Sequence, residues 1–171
     1  SMDIQEQKTI LLVEDDVLIS MATTLTIKGF GYKVISAYSG EEAVETALSS
    51  EQIDLILIDL GLGKGIDGTE AARQILGEKI IPIVFLTSHP EQEYVDKVKE
   101  ITRYGYLLKN SGDFVLRSSI EMAFELFEAN RQMAEEILQR AYAEKLLQQR
   151  TEALSTFNRA MIGREQRIIE M

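Results

Sequence analysis

The chain has 171 residues, no cysteine and a formal net charge of −10 from 18 basic and 28 acidic residues. This length suits one domain of ordinary size and an additional segment. The lack of cysteine excludes disulfides, thiolate metal sites and cysteine nucleophiles, and the negative charge argues against nucleic acid or an anionic membrane as partner. No apolar run approaches the roughly 20 residues of a membrane span, and the N-terminal residues lack the apolar stretch of a signal peptide, so we expect a cytoplasmic protein.

Five short β-rich runs alternate with stretches of helical spacing as far as about residue 129. We predict that the first helix begins after Asp16 as its N-cap, carries its apolar residues on one face and ends at Gly29. Ser39 and Glu42 form a capping-box pattern, which predicts the start of the second helix. The predicted strands are Thr9–Val13, Lys33–Ala37, Leu55–Ile58, Ile83–Leu86 and Tyr106–Leu108, and the apolar face of the first helix consists of Leu18, Met21, Ala22 and Leu25.

The second, third and fourth strands are nearly continuous apolar runs, which predicts strands covered on both faces. The fold class is therefore α/β, a doubly wound five-stranded parallel sheet with helices on both faces. Such sheets bind ligands beyond the carboxyl ends of their strands. The residues at these ends are Glu14 and Asp15 for the first strand, Asp59 for the third, Thr87 and Ser88 for the fourth, and Lys109 for the fifth.

These strand-end residues point to one chemistry. Three crowded carboxylates stay ionised only if a cation neutralises them, and oxygen ligands with water favour Mg2+ or Mn2+. A lysine and a hydroxyl opposite them can hold the oxygens of a phosphoryl group bridged to that metal. In that arrangement Asp59 is a nucleophile as well as a ligand. A single polar residue at a strand end is most simply a residue leaving the core, but the agreement among the strand ends favours a site.

Motifs from about Ile10 to Phe127 resemble the receiver domains of two-component response regulators. "ILLVEDD" is similar to the family's first strand with its acidic pair, "LILIDLGL" to the strand that carries the phosphoacceptor, and "IVFLTS" and "YGYLLK" to the last two strands. The resemblance implies a flavodoxin-like fold in which Asp59 accepts a phosphoryl group from a histidine kinase or a phosphotransfer protein. It further implies a metal shell of Asp15, Asp59 and the Gly61 backbone carbonyl with Glu14 acting through water, a phosphate contact by Lys109, and switch roles for Thr87 and Tyr106.

Two positions depart from the family pattern. The loop "LGLGKGIDG" after Asp59 is one residue longer than usual and has no proline, which predicts a more flexible loop. Asn110 follows Lys109 where most members have a cis proline. Because a cis bond to a non-proline residue costs about 2.5 to 4 kcal/mol, we expect the Lys109–Asn110 bond to be trans.

No Gly or Pro occurs between Asp113 and Ile162, which predicts a last helix that extends well beyond the receiver. We therefore assign residues 1–129 to the receiver domain and 130–171 to a helical, coiled-coil connector that is cut before an output domain. An apolar heptad row predicts a homodimer through this helix, while the mostly polar companion row leaves parallel, antiparallel and hairpin pairings open. The row is Leu126, Met133, Arg140, Leu147, Leu154, Met161 and Ile168.

The segments "LLKNSGDFVLRSSIEMAF" and "TEALSTFNRAMIGREQRIIEM" resemble receivers and PAS-flanking helices of multi-domain sensor histidine kinases. Two function classes follow. The first is a phosphoacceptor that modifies itself on Asp59 rather than turning over as an enzyme, within a parent protein whose own class, histidine kinase included, stays open. The second is an interaction or dimerisation module that keeps the receiver fold without phosphorylation. An aspartyl phosphatase is disfavoured, because Gly61 stands where its second acid would be.

Overall fold

The computed structural model describes residues 6–88 and 92–170, apart from the side chains of 92–94 and 167–170. Five parallel strands form one sheet in the order β2-β1-β3-β4-β5, so the predicted doubly wound α/β fold is confirmed. Strands β3 and β4 are each one residue longer than predicted, and they end on Asp59 and Thr87. The strands are β1 Thr9–Val13, β2 Lys33–Ala37, β3 Leu55–Asp59, β4 Ile83–Thr87 and β5 Tyr106–Leu108; the helices are α1 Val17–Gly29, α2 Gly40–Ser49, α3 Gly68–Leu76, α4 Gln92–Ile101 and α5 Asp113–Glu170.

The sheet separates two apolar cores, because successive side chains of a strand point to opposite faces. On one face Leu11 and Ile56 pack with residues of α2, α3 and α4. On the other face Ile10 and Leu57 pack with α1 and the N-terminal part of α5. The central strands β1, β3 and β4 are buried along their whole length. This burial fixes the positions of the carboxyl ends of the three strands relative to one another.

Strand β2 differs from the fully covered strand that its apolar run predicted. It lies at the edge of the sheet, next to β1 only. Lys33 is exposed, the next three residues are half-buried, and Ala37 alone is buried. The apolar run thus indicated cover on both faces correctly for β3 and β4, whereas in β2 it belongs to an edge strand.

Capping side chains begin the first two helices at the predicted residues. The Asp16 carboxylate accepts hydrogen bonds from the backbone N–H groups of Leu18 and Ile19. The Ser39 hydroxyl accepts from the N–H of Glu42 at 3.1 Å. In a capping box the Glu42 carboxylate would accept from the N–H of the N-cap residue itself, Ser39. Here it accepts from the N–H of the preceding residue, Tyr38, at 3.0 Å.

The apolar face of α1 is turned away from the core. Leu18, Met21 and Leu25 are 78%, 58% and 72% exposed. The residues of α1 that are buried are Ser20 and Ile27, of which Ile27 belongs to the core shared with α5. A regular apolar stripe is usually the buried side of a surface helix, and here it forms an exposed surface instead.

Helix α5 is continuous for 58 residues, which confirms the predicted long C-terminal helix. Its contacts divide the chain between Phe127 and Glu128: the first unit holds the sheet, and the second is the remainder of α5. In the second unit Met133, Leu147 and Leu154 are about two-thirds exposed, at 60%, 67% and 62%. A search for membrane spans among the described residues finds no helix with the length and apolar character required.

Candidate functional site

The strand order brings the predicted site residues to one edge of the sheet. Strands β1 and β3 are neighbours, with Val13 opposite Ile58, so Glu14 and Asp15 come directly beside Asp59. On the other side of β3, Asp59 pairs with Leu86 of β4, and Thr87 of β4 pairs with Leu108 of β5. Lys109 follows Leu108 at once. Parallel pairing therefore places three acids, a hydroxyl and a lysine at adjacent strand ends.

These residues line one open cleft with a volume of about 390 Å3. Glu14 and Asp59 are only 2% and 4% exposed, whereas Asp15 is exposed to solvent. Its lining is mainly acidic and polar, and it includes an apolar residue of α1, Ile19. The residues that line it are Glu14, Asp15, Asp16, Ile19, Asp59, Leu60, Gly61, Thr87, Ser88 and Lys109.

Lys109 joins the two buried acids. Its Nζ lies 2.6 Å from Glu14 Oε2 and 2.7 Å from Asp59 Oδ2, which makes two charge-assisted hydrogen bonds from one ammonium group. The Lys109 backbone N–H also donates to the Thr87 carbonyl oxygen at 2.8 Å, so the residue continues the β4–β5 pairing. The Lys109 side chain is thus held at both ends, by its backbone at one end and by the two carboxylates at the other.

The pKa shifts of this cluster follow from burial and crowding. Burial raises the pKa of Glu14, and the neighbouring Asp59 charge raises it further, although the hydrogen bond from Lys109 opposes both effects. Burial alone would lower the pKa of Lys109, but the hydrogen bonds and charges of Asp59 and Glu14 outweigh it and the pKa is raised. Lys109 is therefore firmly protonated.

The three acids fit a hard divalent cation. Glu14, Asp15 and Asp59 each offer a carboxylate oxygen, and these atoms lie within 4.8 Å of one another. Asp59 Oδ1 accepts from the Gly61 N–H at 2.9 Å, and Asp15 Oδ2 accepts from the Gly63 N–H at 3.0 Å. Oxygen donors with a net negative charge, partly open to water, are what Mg2+ and Mn2+ prefer.

The peptide bond after Lys109 is trans, as predicted. Asn110 has a φ of 66°, in the left-handed region that asparagine tolerates better than most residues. The chain therefore turns immediately after the lysine without a proline. Lys109 nevertheless reaches both Glu14 and Asp59 from this backbone.

Tyr106 is the one predicted site residue that the structure does not bring to the cleft. It lies in β5 opposite Phe85, its side chain is 39% exposed, and it is absent from the described residues that line the cleft. The bond from Gly63 to Asp15, in turn, was not anticipated. It depends on the path of a glycine-rich loop, for which the sequence offers no periodic signal.

In a comparison with models of known families, residues 10–121 match the response regulator receiver domain. The chain belongs to this family. The match covers β1 from its second residue, the other four strands and the residues that line the cleft, including Asp59 and Lys109. The fold agrees with what the sequence motifs implied.

Curated relatives of this receiver are mainly regulatory proteins. It is 31% identical over 121 residues to the transcriptional regulatory protein PdtaR of Mycobacterium tuberculosis, which covers 70% of this chain and 58% of PdtaR. It is 39% identical over 92 residues to the alkaline phosphatase synthesis transcriptional regulatory protein PhoP of Bacillus subtilis, covering 53% of this chain and 37% of PhoP. The chain thus spans 58% and 37% of the lengths of these two relatives.

Two solved structures with similar sequences share the receiver fold. The N-terminal domain of a response regulator/sensory box/GGDEF 3-domain protein from Carboxydothermus hydrogenoformans is 41% identical, with a TM-score of 0.67 over 72% of this chain and 98% of that one. The receiver domain of a modulated diguanylate cyclase from Desulfovibrio desulfuricans is 31% identical, with a TM-score of 0.67 over 73% of this chain and 99% of that one.

The paired lysine predicts a measurable loss of stability in the metal-free receiver. We expect Lys109→Met to lower the free energy of unfolding by about 2 kcal/mol, because Glu14 and Asp59 would be left buried without their shared partner. Urea unfolding in the presence of EDTA measures this loss.

Lys64→Met is the matched control for that experiment, because Lys64 is exposed. Its effect should stay within about 0.5 kcal/mol, as for most surface substitutions. A Lys109→Met protein at least as stable as the parent would contradict the stabilising role of the bridge.

Proposed function

We propose that this receiver is the phosphoacceptor of a two-component phosphorelay, with Asp59 as the residue that is phosphorylated. The observation that carries the proposal is the position of Asp59 at the end of β3, bonded to Lys109 at 2.7 Å and within reach of two further acids. Membership of the receiver family supports the same role. Of the acids in the cleft, Asp59 is the one that ends a strand, bonds Lys109 and has a hydroxyl, that of Thr87, at the end of the neighbouring strand β4.

In the proposed reaction a carboxylate oxygen of Asp59 attacks phosphorus in line with the leaving group. A P–O bond to Asp59 forms as the P–N bond of a phosphohistidine breaks, and the imidazole leaves with the electron pair. Lys109 turns its ammonium group to a phosphoryl oxygen, and the Thr87 hydroxyl donates to another. Because Lys109 already points at Asp59, only a small side-chain movement is required.

Mg2+ is the proposed cofactor, held by Asp15, Asp59 and the backbone carbonyl of Gly61, with Glu14 acting through water. The oxygen donors of the three acids and their surplus of negative charge support this assignment. Glu14 accepts at both carboxylate oxygens, from Lys109 Nζ at Oε2 and from the Asp16 N–H at Oε1. Exposed Asp15 has one oxygen outside its bond with Gly63, which supports direct ligation by Asp15. When bound, the ion would neutralise charge on the phosphoryl oxygens.

The proposed phosphodonor is a histidine kinase or a histidine phosphotransfer protein, rather than nucleic acid or membrane. The exposed apolar face of α1 supports a protein donor, because Leu18 and Met21 lie on the same helix as Ile19, which lines the cleft. A donor that covers this face would exclude water from the apolar side chains while it presents its histidine to Asp59. The net charge of −10 goes against nucleic acid as a partner.

The output is proposed to pass from the receiver, residues 1–129, through the connector, residues 130–171. Thr87 and Tyr106 are the proposed switch residues at the cleft and on β5. The connector is proposed to form a homodimeric coiled coil, supported by the exposed Met133, Leu147 and Leu154 at heptad spacing. Arg140 interrupts that row and weakens the seam.

The parent protein is proposed to be a cytoplasmic, multi-domain signalling protein that contains a sensory module. The Carboxydothermus hydrogenoformans neighbour, whose receiver is the N-terminal part of a three-domain protein with a sensory box, supports this organisation. The alternative, an unphosphorylated interaction module, has less support, because the acids, the lysine and the hydroxyl of the cleft are all present.

The first prediction of this proposal is phosphorylation of Asp59 by a small phosphodonor such as acetyl phosphate. We expect intact-mass spectrometry to show one added phosphoryl group in the presence of Mg2+, and EDTA to suppress it. Asp59→Asn should abolish the adduct, because the nucleophilic carboxylate is lost. An unchanged adduct in that variant, or none in the parent, would favour the interaction-module alternative.

The second prediction separates the two neighbouring acids of β1. We expect Asp15→Asn to weaken Mg2+ binding more than Glu14→Gln, since a carboxylate that ligates directly is coupled to the ion more strongly than one acting through water. Calorimetric titration of both variants and the parent measures the difference. Parent-like binding by both variants would contradict the ligand assignment.

The third prediction concerns the connector. We expect the full chain to dimerise at tens of micromolar and a chain ending at Asn130 to be monomeric, because the shorter chain lacks most of the apolar row. Sedimentation equilibrium distinguishes the two states. Leu147→Lys should dissociate the dimer and the matched Gln148→Lys should not; equal dimerisation of both chain lengths would place the interface elsewhere.

A further inference from the structure

The loop between β3 and α3, residues 60–67, carries the glycines that follow Asp59. It contains three glycines and no proline, so little in its own sequence restrains its backbone. Its described hydrogen bonds to side chains instead go to three carboxylates. Gly61 N–H donates to Asp59 at 2.9 Å, Gly63 N–H to Asp15 at 3.0 Å, and Ile66 N–H to Glu41 at 2.8 Å.

Two of these acids belong to the proposed cation site, but Glu41 belongs to the first turn of α2. Its carboxylate lies directly against the backbone of Gly65, where an added Cβ would overlap both carboxylate oxygens. Gly65 also has a φ of 76°, which side chains rarely adopt. At Gly40 an added Cβ would lie 2.7 Å from the Ile66 carbonyl oxygen. Two glycines thus permit the close approach that lets Glu41 hold the loop.

The contact is electrostatically favourable for Glu41. The N–H of Ile66 lowers the pKa of the Glu41 carboxyl, and the N–H of Glu41 itself lowers it further. The carboxylate therefore stays ionised while it bonds the loop. The Gly63 N–H of the same loop donates to Asp15. A backbone that is restrained between Gly63 and Ile66 therefore also restrains the orientation of the Asp15 carboxylate.

We propose that Glu41 is a positioning residue for the cation site, which orients Asp15 through the loop segment from Gly63 to Ile66. The inference rests on the proposed function in so far as Asp15 binds the cation. Glu41 restrains the backbone in the role that a proline would fill in a shorter loop. Losing it would leave Asp15 in place but let its oxygens turn away from the orientation that binds Mg2+.

The test compares Glu41→Ala with Glu41→Gln and with Glu45→Ala. The Gln variant keeps an oxygen that can accept from Ile66 N–H. Glu45 is an exposed acid of the same helix for which the described contacts include no bond to the loop, so its removal measures the effect of charge alone. Urea unfolding checks that all three variants are folded.

The first measurement is solvent exchange of the Gly63 amide by NMR in EDTA, without any metal or phosphodonor. We expect exchange to be about tenfold faster in Glu41→Ala and unchanged in the other two variants, since the loss of one intramolecular hydrogen bond changes an equilibrium by up to about this factor. Gly63 is the deciding amide because its own acceptor, Asp15, is unaltered. Gly63 exchange that rises no more in Glu41→Ala than in Glu45→Ala overturns the proposal.

The second measurement is calorimetric titration with Mg2+. We expect about tenfold weaker binding in Glu41→Ala, restored in Glu41→Gln and unaffected in Glu45→Ala beyond the loss of one distant charge. A parent chain that binds Mg2+ no more tightly than Glu41→Ala overturns the positioning role alone. A parent chain that binds no Mg2+ contradicts the cation site itself, and with it the proposed function.

Discussion

The crowding of three carboxylates around one lysine is the constraint on which the cleft depends. Glu14 and Asp59 are buried at the ends of adjacent strands, where their mutual repulsion is poorly screened by water. Lys109 offsets that repulsion by bonding both, but one positive charge cannot neutralise three negative ones. In the proposed function this surplus would draw a small cation, and the cation would attract the oxygens of a phosphoryl group. The bonds to Lys109 stabilise the resting cluster, and the charge that they leave unneutralised underlies the chemistry proposed for it.

The sheet makes this imbalance possible because it holds the charged residues after the strands have ended. Backbone bonds continue the ladder past the apolar core: Glu14 N–H donates to Ala37 at 3.1 Å, and Lys109 N–H donates to Thr87 at 2.8 Å. The site residues therefore sit on rigid backbone rather than on free loops, and their charges cannot simply move apart. The apolar length of β1, β3 and β4, buried on both faces, supplies the stability against which the crowded charges are held.

Much of the fold and the cleft is predictable from the sequence, because strand runs, caps and strand-end residues are local signals with a fixed geometric meaning. Alternation with helices predicts a parallel sheet, and the observed strand order β2-β1-β3-β4-β5 then brings Asp15, Asp59 and Lys109 together. The orientation of the apolar face of α1 is not predictable in this way. Periodicity identifies an apolar face, but only packing decides whether that face contacts the core. In α1 the buried residues are Ser20 and Ile27 instead. The bond between Glu41 and Ile66 is also beyond local signals, since it joins two loop-adjacent positions through backbone conformations that only glycine permits.

Lys109 also connects the cleft to the long helix by a very short path. Helix α5 begins at Asp113, four residues after the lysine. Between them Asn110 and Gly112 both have left-handed backbone, with φ of 66° and 96°, and the Ser111 N–H returns to the Leu108 carbonyl at 3.3 Å. A turn this tight leaves the backbone few alternative conformations. If Lys109 leaves Glu14 for a new anionic partner, either its side chain alone changes conformation or the first residues of α5 move as well. The Lys109 backbone N–H is bonded to the carbonyl of Thr87, the same β4 residue that contributes the cleft hydroxyl. In the proposed function a charge added at Asp59 would therefore act on the end of β4 and on the start of α5 through one short, constrained turn.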